Sequence, residues 1–138
     1  MLKHVSKQFT PELLRLIMEM GHGEKILISD ANYPWRSMGC EHVHVPVEHI
    51  EELLEDILYF FPVDQAEADP VLMMESSLES GAFERYQKLL SKEEPCVTLK
   101  TVGRFDFYDR ASQAVGVVVT ADTTKGGNIL ITKGVVRE

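Results

Sequence analysis

Apolar residues recur along this chain with two different periods, and the switches between them mark out alternating helices and strands. Leu13, Leu14, Ile17 and Met20 share one broad face at helical spacing. Thr10-Pro11-Glu12 supplies the start, because threonine caps, proline tolerates the first helical position and glutamate complements the positive helix end. Gly21 is a natural stop, and Lys25–Ser29 beyond it is short, apolar and extended. His42-Val43-His44-Val45 alternates polar with apolar side chains and predicts a strand that Pro46 ends. The clearest amphipathic helix runs from Val47 to Phe61: Ile50, Leu53, Leu54, Ile57, Leu58 and Phe61 form its apolar face, and Glu48, Glu51, Glu52 and Glu55 its polar one.

Further along, the turn-rich stretch from Pro62 to Pro70 reads as a loop, Val71–Met74 as a buried strand and Gly81–Leu90 as a helix. Val97–Thr101 reads as extended, and Arg104–Ala111 as a short helix or a structured loop. Ala114–Thr120, with three consecutive valines, and Asn128–Thr132, introduced by Gly126-Gly127, are the last two strands. Continuous apolar strands separated by helices predict an α/β fold with a mainly parallel central sheet flanked by helices. The 138 residues suit a single domain, residues 1–138, that completes its functional surface alone or by assembly with copies of itself.

Charge narrows the range of partners. Fourteen basic residues against twenty-two acidic ones leave a net charge of -8, which opposes attraction to nucleic acid or to an anionic membrane. Neither the beginning nor the interior carries the apolar run of a signal peptide or membrane helix, so a cytoplasmic location is expected. Cys40 and Cys96 form no close metal-ligand pair and no disulfide framework, and both are expected to stay reduced. His42, His44 and His49 lack the spacing of a ligand trio, so no metal is expected. Gly21-His22-Gly23 is neither a dinucleotide fingerprint nor a phosphate loop.

The stretch from Gly21 to Pro34 carries the candidate chemistry. His22 stands just after a helix and Asp30 just after the next strand, so two groups able to move protons occupy the two ends of one short apolar segment. Taken singly, His22 reads equally as a satisfied loop histidine, and Asp30 as a turn residue or helix cap. Arg104, Tyr108 and Asn128 read singly as structural or surface residues.

The order Gly21-His22-Gly23, Ser29-Asp30-Ala31, Arg104-Phe105, Phe107-Tyr108 and Gly127-Asn128-Ile129-Leu130, with Pro11-Glu12-Leu13-Leu14 before it, resembles the L-fucose mutarotase family, related to D-ribose pyranase. The likeness runs from the opening helix almost to Lys133-Gly134, and the Arg104-Phe105 and Phe107-Tyr108 pattern is more similar to the fucose branch. The resemblance implies a compact α/β fold, cyclic pentamers paired into decamers with pockets near subunit boundaries, and interconversion of sugar anomers without a cofactor. It places His22 and Asp30 at the reacting centre, and gives Arg104, Tyr108 and Asn128 contacts to a monosaccharide, L-fucose or a related pyranose. On this reading His22 is the main acid/base and Asp30 its polar partner.

Two positions depart from the family pattern. A tyrosine commonly precedes the glycine of the Gly-Asn segment, where this chain has Gly126, and Trp35 stands where small residues are frequent. Loss of a phenolic hydroxyl beside the sugar leaves a second reading open, a noncatalytic sugar-binding or regulatory domain. Trp35 is expected either to extend an apolar face toward the sugar, partly filling space left at Gly126, or to serve in the core or an interface.

Overall fold

A computed structural model, which describes residues 1–137, contains five α-helices and six strands. The helices are α1 (Pro11–Glu19), α2 (Ile50–Phe60), α3 (Ser76–Ser80), α4 (Ala82–Glu93) and α5 (Arg104–Ala111). The strands are β1 (Lys25–Ser29), β2 (Glu41–His44), β3 (Val71–Met74), β4 (Lys100–Val102), β5 (Gly116–Val119) and β6 (Ile129–Thr132). They form one sheet in the order β2-β5-β1-β6-β3-β4.

Parallel ladders join β2 to β5, β5 to β1 and β3 to β4, while β6 lies antiparallel between β1 and β3. Five strands therefore run one way and β6 alone runs back. The expected α/β fold is present, with a mixed sheet in which the parallel direction dominates.

Alternation along the strands divides the interior in two. Ile26, Ile28, Val43, Val71, Met73, Val118, Ile129 and Ile131 face α1, α2 and α4. Their neighbours Leu27, Leu72, Met74, Val117, Val119 and Leu130 face the other way, against Phe107 and Ala111 of α5 and the ring of Tyr33. Covering both faces is what requires unbroken apolar runs instead of a polar-apolar repeat.

Local chemistry sets the ends of the helices. The Thr10 hydroxyl accepts the Leu13 N–H at 3.1 Å, as its capping position predicts. α2 begins at Ile50, three residues later than its apolar pattern suggests, because the Val47 carbonyl is engaged by the Ala121 N–H at 2.9 Å. The helix is capped instead by Asp122, whose Oδ2 accepts the Ile50 N–H at 2.8 Å from 72 residues away. The predicted helix from Gly81 is α4, and the unforeseen α3 precedes it; Gly81, at φ +81°, turns the chain between them. β4 starts only at Lys100, since Val97 N–H closes a turn onto Glu94 and Leu99 N–H is taken by the Gln87 side chain at 3.2 Å. The Arg104–Ala111 segment is a helix.

Leu54 of α2 is fully buried, whereas Glu55 beside it is exposed. Leu54→Ala is expected to lower unfolding stability by about 2–5 kcal/mol, and Glu55→Ala by less than about 0.5 kcal/mol, in paired urea denaturation curves.

Candidate functional site

The reversal of β6 brings its first residues against the end of β1. Ile28 pairs with Ile129, so Asp30 and Asn128 emerge side by side at the same edge of the sheet. They are reciprocally bonded: Asn128 Oδ1 accepts the Asp30 N–H at 2.7 Å, and Asn128 Nδ2 donates to Asp30 Oδ2 at 3.2 Å. Asp30 Oδ1 accepts the Asn32 N–H at 2.9 Å. Burial pushes the Asp30 carboxyl above its usual range, assisted by the Asp122 carboxylate and opposed by hydrogen bonds from Asn32, Tyr33 and Asn128. A buried carboxyl raised in this way is suited to hold or exchange a proton closer to neutrality than an exposed one.

Arg104 and Tyr108 reach this edge through α5, which begins immediately after β4. Arg104 Nε donates to the Tyr108 hydroxyl at 3.1 Å, across one helical turn. The Tyr108 ring meets the Tyr33 ring edge-on at 5.3 Å between centroids, and Tyr33 lies three residues beyond Asp30. Burial raises the Tyr33 hydroxyl, with Tyr108 and Asp30 adding to the effect, so it stays protonated. Asn128, Asp30, Tyr33, Tyr108 and Arg104 are thus linked into one connected wall with carboxyl, amide, phenol and guanidinium groups.

His22 is not part of it. Its turn is tied to the opposite edge of the sheet, where the Gly23 N–H donates to the Lys133 carbonyl at 2.8 Å beyond the end of β6. The five residues of β1 separate the two ends by about 16 Å at roughly 3.3 Å per residue. Within one copy of the chain, His22 and Asp30 therefore do not pair, contrary to the expectation that Asp30 is its partner. The carboxylate that meets His22 is Asp64, at 3.1 Å between Nε2 and Oδ1. Asp64 is buried, and it also accepts the N–H groups of Ala66 at 3.2 Å and Glu67 at 3.1 Å. Burial pushes its carboxyl up, yet the bonds from Ala66, His22 and Glu67 prevail and hold it below the usual carboxylate range. A cavity of about 530 Å³ opens here, lined by His22, Asp64, Gln65, Glu94 and Arg137 among others.

Sequence reasoning missed Asp64, Asp122, Tyr33 and Tyr86. Asp64 lies 42 residues from His22 inside a segment read only as a loop, and its one local signal is the turn it closes onto Ala66 and Glu67. Tyr86 is fully buried and donates its hydroxyl to the Gly127 carbonyl at 3.0 Å, bracing the loop before Asn128 from beneath.

Trp35 packs against His42 and His44, with ring centroids 4.8 and 5.0 Å away, and the two imidazoles approach to 3.1 Å. It is not what fills the space at Gly126. That position has φ +68°, and an added Cβ would lie 2.3 Å from Ser76 Oγ and 2.7 Å from the Ser77 nitrogen. Among the described residues no group of three or more His, Cys, Asp or Glu could hold a metal, and no helix is long and apolar enough to cross a membrane.

An α/β domain with this mixed sheet is a fold shared with known proteins. The model of the RbsD / FucU transport protein family matches residues 3–136, and the chain belongs to that family. It is similar to the fucose mutarotase from Streptococcus pneumoniae, solved in complex with L-fucose: 32% identity over 99% of this chain and 100% of that one, with a TM-score of 0.86. FucU from Bifidobacterium longum is 29% identical over 96% of this chain and 100% of its own, with a TM-score of 0.88. RbsD from Bacillus subtilis, solved with D-ribose, shares the fold at 19% identity over 99% of this chain and 100% of its own, with a TM-score of 0.76.

The backbone at Gly126 makes a simple test of whether the family tyrosine can be restored. Gly126→Tyr is expected to destabilise the protein by about 2–4 kcal/mol in urea denaturation, because left-handed backbone strain adds to a clash with α3.

Proposed function

We propose that this protein interconverts the anomers of a fucose-like pyranose by cofactor-independent acid/base opening and reclosure of the ring. Opening breaks the bond between the anomeric carbon and the ring oxygen. The electron pair leaves with the ring oxygen, which gains a proton, while the anomeric hydroxyl loses one and becomes the aldehyde oxygen. Rotation about the next carbon-carbon bond and reversal of both transfers return the other anomer. Asp30 and His22 are the proton-handling groups, and Arg104, Tyr108 and Asn128 hold hydroxyls.

The observation that carries this reading is the reciprocal Asp30–Asn128 pair, a buried carboxyl held beside an amide at a sheet edge that also presents Tyr108 and Arg104. The identity to the fucose mutarotase, higher than to the ribose-bound RbsD, favours a fucose-like substrate over ribose. Because His22 sits at the far end of β1, the complete site is formed between copies of the chain in a homo-oligomer, with His22 of one copy meeting Asp30 of its neighbour. The pentamer-based decamer implied by the family resemblance fits this requirement. Glycine at 126 favours a second reading, a sugar-binding protein that does not catalyse exchange.

Saturation-transfer NMR with L-fucose and D-ribose decides between them. Anomer exchange of L-fucose is expected to exceed the spontaneous rate and to fall roughly 10²-fold or more in His22→Ala and in Asp30→Asn. Saturable L-fucose binding without added exchange would select the binding-only reading. Shared sites have their own signature. After subunits of His22→Ala and Asp30→Asn are exchanged in a one-to-one mixture, activity should return to roughly a quarter of wild type, since that share of sites unites an intact His22 with an intact Asp30. No recovery despite verified exchange of subunits would overturn the site shared between copies.

A further inference from the structure

The hydrogen bond between His22 and Asp64 determines which ring nitrogen can carry a travelling proton. A carboxylate accepts hydrogen bonds and cannot donate them, and Asp64 is held ionised by the N–H groups of Ala66 and Glu67 together with His22 itself. Nε2 of His22 must then bear the hydrogen. In the neutral imidazole this leaves the lone pair on Nδ1. The side chain of His22 is 53% exposed while that of Asp64 is 8% exposed, so the pair has a buried anchor and an open working end.

The anchor is rigid for a reason independent of His22. Asp64 Oδ1 and Oδ2 close a turn onto Ala66 and Glu67, and the backbone N–H of Asp64 donates to the Thr132 carbonyl at 3.0 Å, tying it to the last residue of β6. The neighbouring charges are otherwise engaged or differently placed. Glu94 accepts the Val63 N–H at 3.1 Å and the Gln65 amide at 3.4 Å, Glu24 accepts the Gly21 N–H at 2.6 Å, and Lys133 lies over the Phe61 ring at 6.0 Å. Arg137 lines the same cavity.

We infer that Asp64 is a positioning residue that holds His22 in its Nε2–H tautomer and so makes Nδ1 the atom that exchanges a proton with the sugar. The inference rests on the mutarotase reading for its catalytic consequence and on the His22–Asp64 geometry for its structural part. Whether His22 takes the anomeric hydroxyl proton or delivers one to the ring oxygen, the mobile proton resides on Nδ1. The Asp64 carboxylate balances the imidazolium charge while it is there.

Two measurements on the full-length protein test this. Long-range ¹H–¹⁵N correlation spectra at alkaline pH, where the imidazole is neutral, should show wild-type His22 as a single Nε2–H tautomer. Asp64→Ala should give a mixture of tautomers, and so should Asp64→Asn, whose amide can accept from Nε2–H through Oδ1 or donate to a bare Nε2 through Nδ2. For L-fucose exchange, both variants should lose roughly tenfold in kcat with KM little changed, since the lost interaction is with a charge present only during proton transfer. A wild-type His22 that populates the Nδ1–H form overturns the inference, and needs no variant to fold. So does Asp64→Ala that keeps a single Nε2–H tautomer and wild-type kcat. Absence of exchange in the wild type defeats the mutarotase reading instead, and the tautomer alone then decides the positioning role.

Discussion

The antiparallel insertion of β6 between β1 and β3 is the constraint on which the rest of this structure depends. A strand running against its neighbours presents its first residues where theirs end, so Asn128 meets Asp30 and not the start of β1. The same reversal carries Lys133 to the opposite edge, where its backbone engages Gly23 and Glu24 and anchors the His22 turn. One topological choice thus joins Asp30 to Asn128 at one end of the strands and leaves the imidazole at the other. In an all-parallel sheet the residue before β6 would emerge at the wrong end, and Asp30 would lack its amide partner.

Buried polar groups then hold that edge in shape. Asp122 spans it by accepting the N–H groups of Ile50 and Thr124 through its two carboxylate oxygens while its carbonyl accepts the Ala31 N–H. A carboxylate at the start of α2 also complements the helix dipole, which lets a 1% exposed acid sit near Asp30. Thr120 closes onto the Ser29 carbonyl at 2.8 Å, and Tyr86 braces Gly127. Asp122, Thr120 and Tyr86 each have their partners, which restrains the segment carrying Asp30, although the buried Ser29 hydroxyl beside it has none.

Much of the fold was legible because its signals are local. Periodicity located β1, β3 and the core of α2, and the Thr10 cap is visible in a few residues, whereas Gly81, read as the start of a helix, is the left-handed turn between α3 and α4. The start of α2 and the late start of β4 were not, because they are decided by Asp122 and Gln87, distant groups that claim specific backbone N–H groups. The direction of β6 has no local signal either, since an apolar run such as Ile129–Thr132 reads the same in a parallel or an antiparallel ladder. The candidate site divides along the same line. Asp30 and Asn128 stood out through their motifs, and their mutual bond then followed from strand register. Proximity in sequence misled at His22, because the five extended residues of β1 separate the two side chains more effectively than a long loop does.

Gly126 takes on a different meaning once its surroundings are known. Read as a missing tyrosine, it suggests a gap beside the sugar. In the fold there is no gap: Ser76 and the backbone of Ser77 occupy the direction a side chain would take, and the left-handed backbone suits glycine. The change at 126 therefore belongs with the placement of α3 against this loop, and the hydroxyl lost there is not replaced from within by Tyr86, which spends its own on Gly127. The polar groups that remain at this edge are the Asp30–Asn128 pair and the Arg104–Tyr108 pair, bridged by the Tyr33 ring. On the proposed reading, a sugar site with one phenol fewer depends more heavily on the directional bonds that remain, and the Asp30–Asn128 bonds among them are held in place by the reversed strand.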